Sequence, residues 1–146
     1  MKVLIDTNII IDILEHREPY FKDSYKVIQL GIEGKLKTFM SAGAVTDTYY
    51  VISRSLRNVN KAREKIFALT TLVNVCDTTS NDITNALLLS ISDFEDAVIS
   101  AIARREKADY IITRNEADFT SSPVPAISPE KFLHRFLYDR ICQTNL

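Results

Sequence analysis

Apolar residues along this chain fall in short runs separated by stretches of helical spacing. Val3-Leu4-Ile5 is β-prone and ends at three polar residues, Asp6, Thr7 and Asn8; apolar residues then resume, broken by Asp12. The pattern predicts a short buried strand, then a short helix over about 9–14. Tyr20, Phe21, Tyr25, Ile28 and Ile32 recur near helical spacing, and Gly34 stands where such a helix stops. Residues 36–40 predict a second strand, 41–56 a helix with Val45, Tyr49 and Ile52 on one face, and 61–69 another helix. A third strand is expected at 72–76 and a helix at 79–89. Ser92 and Glu95 match a Ser-x-x-Glu capping box opening a helix that turns Phe94, Val98, Ala101 and Ile102 inward. Strands at 110–113 and 126–127 follow, and Pro129 suits the first turn of a last helix to about Tyr138.

Short apolar strands alternating with helices predict an α/β domain whose central, mostly parallel sheet is flanked by helices. The chain has 146 residues, 46% apolar and 25% charged, which fits one ordered domain. No internal repeat or linker divides it; residues 1–140 are read as the domain and 141–146 as a frayed tail. Net charge is −1, so bulk charge announces neither nucleic acid nor membrane. Cys76 and Cys142 form no Cys-x-x-Cys pair, which argues against a disulfide framework or zinc site. His16 and His134 are far apart, so a histidine-based site would need distant segments. The first apolar run is too short for a signal peptide or a membrane span, and a cytoplasmic location is expected.

The acids are placed more tellingly. Asp6 ends the first strand, Asp47 lies in the helix after the second, Asp93 and Asp96 open the helix before the fourth, and Asp118 follows the fourth. In a parallel α/β sheet such positions gather beyond the carboxyl ends of the strands. Close carboxylates repel unless a cation sits among them, and Mg²⁺ or Mn²⁺ prefers oxygen ligands. Each acid also has a plainer reading. Asp6 and Asp93 suit helix caps, and Asp96 gains from the helix dipole in a first turn. Asp12 is read as a solvated helix residue and Glu95 as the cap partner of Ser92.

Three segments, VLIDTNIIID at 3–12, DFEDAVISAIA at 93–103 and YIITRNEADF at 110–119, followed by SPEKFL at 128–133, resemble the PIN-domain superfamily of metal-dependent ribonucleases. The resemblance covers essentially the whole domain. It implies a Rossmann-like fold and an acidic pocket that binds Mg²⁺ or Mn²⁺ and cuts single-stranded RNA by hydrolysis. Carried over residue by residue, it makes Asp6, Asp47, Asp96 and Asp118 catalytic, with Asp6, Asp96 and Asp118 on the metal. Asn8, Asp93, Thr113, Arg114 and Asn115 would line the pocket. Two departures stand out: Asp47 falls where most members carry a helical Glu, and Asn115 where many carry an Asp. Within the family, small single-domain members resemble VapC-type toxins, which implies an antitoxin partner and a homodimer.

Arg54, Arg57, Lys61, Arg63 and Lys65 make a basic stretch that would touch RNA phosphates or simply form a solvated helix face. Competing functions are a non-catalytic RNA-binding PIN domain, a phosphoaspartate receiver-like module and a haloacid-dehalogenase-like phosphatase. The phosphatase needs an acid at position 8, which is Asn, and the receiver needs a Lys where Arg114 stands.

Overall fold

A computed structural model describes the backbone of residues 1–144 and the side chains of residues 1–139. The expected frayed tail at 141–146 lies outside the residues described with side chains.

The chain opens with β1 (Lys2–Ile5), which enters α1 (Thr7–Leu14) directly and then α2 (Phe21–Ile32). Gly34, with φ +70°, occupies the left-handed position just beyond α2, where a side chain would be strained. β2 (Lys37–Ser41) leads into α3 (Ala42–Leu56) and α4 (Val59–Leu72). β3 (Asn74–Cys76), α5 (Ser80–Ala86) and α6 (Phe94–Arg105) follow. β4 (Tyr110–Ile112) runs into a 3₁₀ turn at Glu116–Phe119, then β5 (Ala126–Ile127) and α7 (Pro129–Thr144). The last helix therefore extends beyond the expected end at Tyr138.

Every strand pairing is parallel, in the order β3-β2-β1-β4-β5. This is the Rossmann-like half-sheet order rather than the flavodoxin-like one. Successive side chains of a strand point to opposite faces. Val3, Ile5, Met40 and Ile112 therefore join Ile9, Ile10, Val27 and Phe132 in one core. Leu4, Phe39 and Ile111 pack on the other face with Ile99, Ile102 and Phe119. Both faces are covered, which is why the strands read as unbroken apolar runs. From central β1 the chain first moves to β2 and β3, then returns to pair β4 on the other side of β1. The order reverses between β1 and β4, so a crevice opens beyond their carboxyl ends.

Three expectations are corrected. Asp12 is fully buried, because α1 is wedged between α2 and α3 and Ile9 through Asp12 have no solvent face. The cap of α6 is Asp93, not Ser92: its carboxylate accepts from the Asp96 amide at 3.2 Å, so no box links Ser92 to Glu95. With the helix starting at Phe94, that ring lies outside the core, 48% exposed. Among the described residues, no helix is long and apolar enough to cross a membrane.

Candidate active site

Asp6 is the first residue past β1 and the N-cap of α1. Its Oδ1 accepts from the Thr7 amide at 2.7 Å, which leaves Oδ2 for side-chain donors. Asn8 Nδ2 and Thr113 Oγ1 both donate to Oδ2, at 2.8 Å each. Thr113 comes from the end of β4, across the switch point, and is fully buried. Its hydroxyl accepts from Asn8 Nδ2 at 3.1 Å and from the Asn115 amide at 3.0 Å. With both acceptor sites filled by N–H groups, its one proton is directed at Asp6. Asn8 Oδ1 accepts from the Arg114 amide at 3.3 Å, which fixes the orientation of the side-chain amide. These bonds stitch the exit of β1 to the exit of β4.

Burial pushes the Asp6 carboxyl above the usual carboxylate range, against the pull of Thr113, Thr7, Asn8 and the Arg114 charge. Asp96 projects from the first turn of α6, and its carboxyl is pushed up to about 7. Burial is the largest cause, followed by the charges of Asp6, Asp93, Asp118 and Glu95. Glu95 is also raised, by burial and then by Asp47, Asp6 and Asp93. Asp118 sits exposed on the 3₁₀ turn after β4, its amide bonded to the Asn115 carbonyl at 3.0 Å.

The fold thus brings Asp6, Asp93, Asp96 and Asp118 into one electrostatic cluster. Asp47, exposed in the second turn of α3, meets it through Glu95. Glu95 itself was missed: a Ser-x-x-Glu spacing points to a cap, whereas with α6 starting at Phe94 this carboxylate comes under the charges of Asp47, Asp6 and Asp93. Thr113 and Asn8 bond directly to Asp6 through their side chains, whereas Asn115 bonds to Thr113 through its backbone amide.

The donor chemistry suits a hard cation, since carboxylates that raise one another are relieved by positive charge. Among the described residues, no three His, Cys, Asp or Glu side chains close into a ready-made cage. Mg²⁺ itself can be held by one or two carboxylates, with water and substrate phosphate oxygens completing its shell.

The basic stretch is divided. Arg54, Arg57, Lys61 and Arg63 are exposed, and Arg54 lies over the Tyr50 ring at 5.3 Å. Lys65 donates to the Leu14 carbonyl at 2.9 Å and so ties α4 to α1. Arg54 and Arg57 lie about 10–15 Å along α3 from Asp47 at 1.5 Å per residue.

The family model described as a PIN domain matches residues 2–117, from β1 to one residue short of Asp118. Ribonuclease VapC1 from Aquifex aeolicus (strain VF5) is 25% identical over 140 residues, 92% of this chain and 95% of the relative. Among solved structures, FitAcB from Neisseria gonorrhoeae superposes with a TM-score of 0.72 at 18% identity, covering 88% of this chain and 98% of that one. VapBC2 from Rickettsia felis, bound to a DNA fragment from its promoter, gives 0.71 at 17% identity, covering 88% and 98%. The parallel order, the acids at the β1–β4 crevice and a match over most of the length converge: this chain belongs to the PIN-domain family.

Proposed function

We propose that this protein is a metal-dependent endoribonuclease that hydrolyses single-stranded RNA, and that it is the toxin of a toxin–antitoxin pair. The observation that carries the reading is the gathering of Asp6, Asp93, Asp96 and Asp118 beyond the carboxyl ends of β1 and β4, close enough for their charges, with burial, to push the Asp96 carboxyl up. Crowded carboxylates at the crevice of a parallel sheet repel one another until a proton or a cation offsets their charge, and such perturbed groups concentrate at functional sites. The likeness to a curated ribonuclease over nearly its whole length supports the same chemistry. The similar VapBC structures support an antitoxin partner.

Asp6 and Asp96 would hold Mg²⁺ or Mn²⁺, with Asp118 beside them. When bound, such a cation lowers the pKa of water and offsets charge on phosphate oxygens. The chain supplies the rest. Thr113, Asn8 and the Thr7 amide keep Asp6 in one orientation. The remaining carboxylates of the cluster accept the proton that the attacking water releases. Arg114 brings positive charge near Asp6 from the β4 side.

The test is cleavage of a single-stranded RNA oligonucleotide in Mn²⁺ or Mg²⁺. Asp6→Asn and Asp96→Asn should each lose at least about a hundredfold in rate while keeping the circular dichroism of the parent, on the scale of removing a group that stabilises the transition state. Full activity in either variant, or in excess EDTA, overturns the reading. The toxin role predicts that host growth arrested by the parent chain continues with Asp6→Asn.

A further inference from the structure

We propose that Asp12 is a positioning residue of this site: it fixes Arg114, and through Arg114 it holds the Asn8–Thr113 pair that orients Asp6. Asp12 lies in α1 with no solvent exposure, flanked by Ile9, Ile10, Ile11, Ile13 and Leu14. A carboxylate in such surroundings is costly and needs a partner. The nearest partner is Arg114, whose Nε lies 2.7 Å from Asp12 Oδ2 as an ion pair without hydrogen-bond alignment, and the Arg17 charge acts on the same carboxylate. The guanidinium also lies over the Tyr20 ring, 4.3 Å from its centroid.

Arg114 directly follows Thr113, and its backbone amide donates to Asn8 Oδ1 at 3.3 Å. Asn8 and Asp12 are four residues apart, so they share one face of α1. That face grips the exit of β4 twice, one helical turn apart. Asn8 takes the backbone and Thr113 hydroxyl, and Asp12 takes the Arg114 side chain. The grip reaches Asp6 through Asn8 Nδ2 and Thr113 Oγ1.

Stability alone is a poor reason for this ion pair. Apolar residues of similar volume in place of a buried pair are often as stable or more so. What the pair adds is placement, because the guanidinium is confined between the buried carboxylate and the Tyr20 ring. An amide of residue 114 displaced by a fraction of an ångström would release Asn8, and with it the geometry of Asp6.

The kinetic part of the test rests on the ribonuclease reading; the spectroscopic part does not. In the full chain, Asp12→Asn should lower kcat on single-stranded RNA by about ten- to a hundredfold, as small misplacements of reacting groups do, with KM within about twofold. The side-chain amide resonances of Asn8 should shift or broaden in the same variant. Asp23→Asn, on the neighbouring helix, should leave both unchanged. A folded Asp12→Asn with parental kcat, or with an unmoved Asn8 side-chain amide, overturns the proposal. Should Asp12→Asn not fold, Arg114→Lys keeps the charge and removes the planar fork, and the same two readouts decide. If the parent chain cleaves no RNA, the ribonuclease reading fails, and the Asn8 resonances alone judge Asp12.

Discussion

Thr113 Oγ1 stands 2.8 Å from Asp6 Oδ2, and the two residues are separated by most of the chain. The bond joins neighbouring parallel strands at the point where the sheet order reverses. Thr113→Val keeps the shape and removes the donor. It leaves the Asn115 amide and part of Asp6 unsatisfied, at a cost of about 1–3 kcal/mol in chemical denaturation. Mn²⁺ affinity should also fall, as measured by calorimetry, because Asp6 loses one of the donors that favour its charged form. Thr113→Ser keeps the hydroxyl and should retain the affinity.

Asp96 gives the protein a pH dependence of definite sign. Its folded pKa of about 7 lies above its ordinary 3.8, so between these values the folded state binds more protons than the unfolded. Stability from this group is greatest below about pH 4 and falls as pH rises towards 7. With metal chelated, Asp96→Asn should therefore unfold at a higher temperature than the parent at pH 8, and not at pH 4. Solvent screening discounts the effect to about 1 kcal/mol, or about 2–4 °C in a domain this size. Equal differences in Tm at the two pH values would contradict the raised carboxyl.

Cation binding should follow the opposite slope. A proton on Asp96 competes with the ion, so Mn²⁺ affinity should rise from pH 6 to pH 8. Titration of Asp96→Asn over the same range should show a much flatter dependence.

Asp82 is a structural acid remote from this chemistry. It is buried and forms a capping box with Thr79, and Arg105 Nε reaches its Oδ1 at 2.9 Å. Burial pushes its carboxyl up, but Arg105 and Thr79 outweigh this and hold it below the usual range. Arg105→Ala should destabilise the fold by about 2–3 kcal/mol in urea unfolding. This is less than for a fully buried pair, because Arg105 is partly solvated. RNA cleavage at 25 °C should stay within about twofold, as Asp82 lies outside the acid cluster.

Gly31 faces Thr38 across the packing of α2 on β2. A Cβ there would lie 2.6 Å from Thr38 Oγ1 and 2.8 Å from its Cγ2. Gly31→Ala should lower stability by about 1–3 kcal/mol, despite the better helix propensity of alanine. A gain in Tm would show that the Thr38 side chain yields freely.

The sequence by itself determined the layers and most of the acids. Unbroken runs such as Val3-Leu4-Ile5 announce strands buried on both faces, and helical spacing supplies what covers them. Asp6, Asp93, Asp96 and Asp118 are legible because strand ends and helix starts are local features, and the fold places such ends on one edge. Tertiary structure alone decided which neighbours each acid meets. Asp12 reads as solvated, yet the wedge of α1 between α2 and α3 buries it against Arg114. Glu95 reads as a cap partner, yet the helix begins two residues later than Ser92 and brings it under the influence of Asp6 and Asp47. Thr113 reads as a pocket residue, and only the β1–β4 pairing makes its hydroxyl the donor that orients Asp6. Periodicity and capping act within a few residues of the chain. The field and hydrogen bonds at a carboxylate come from elements folded against it, which local sequence does not encode.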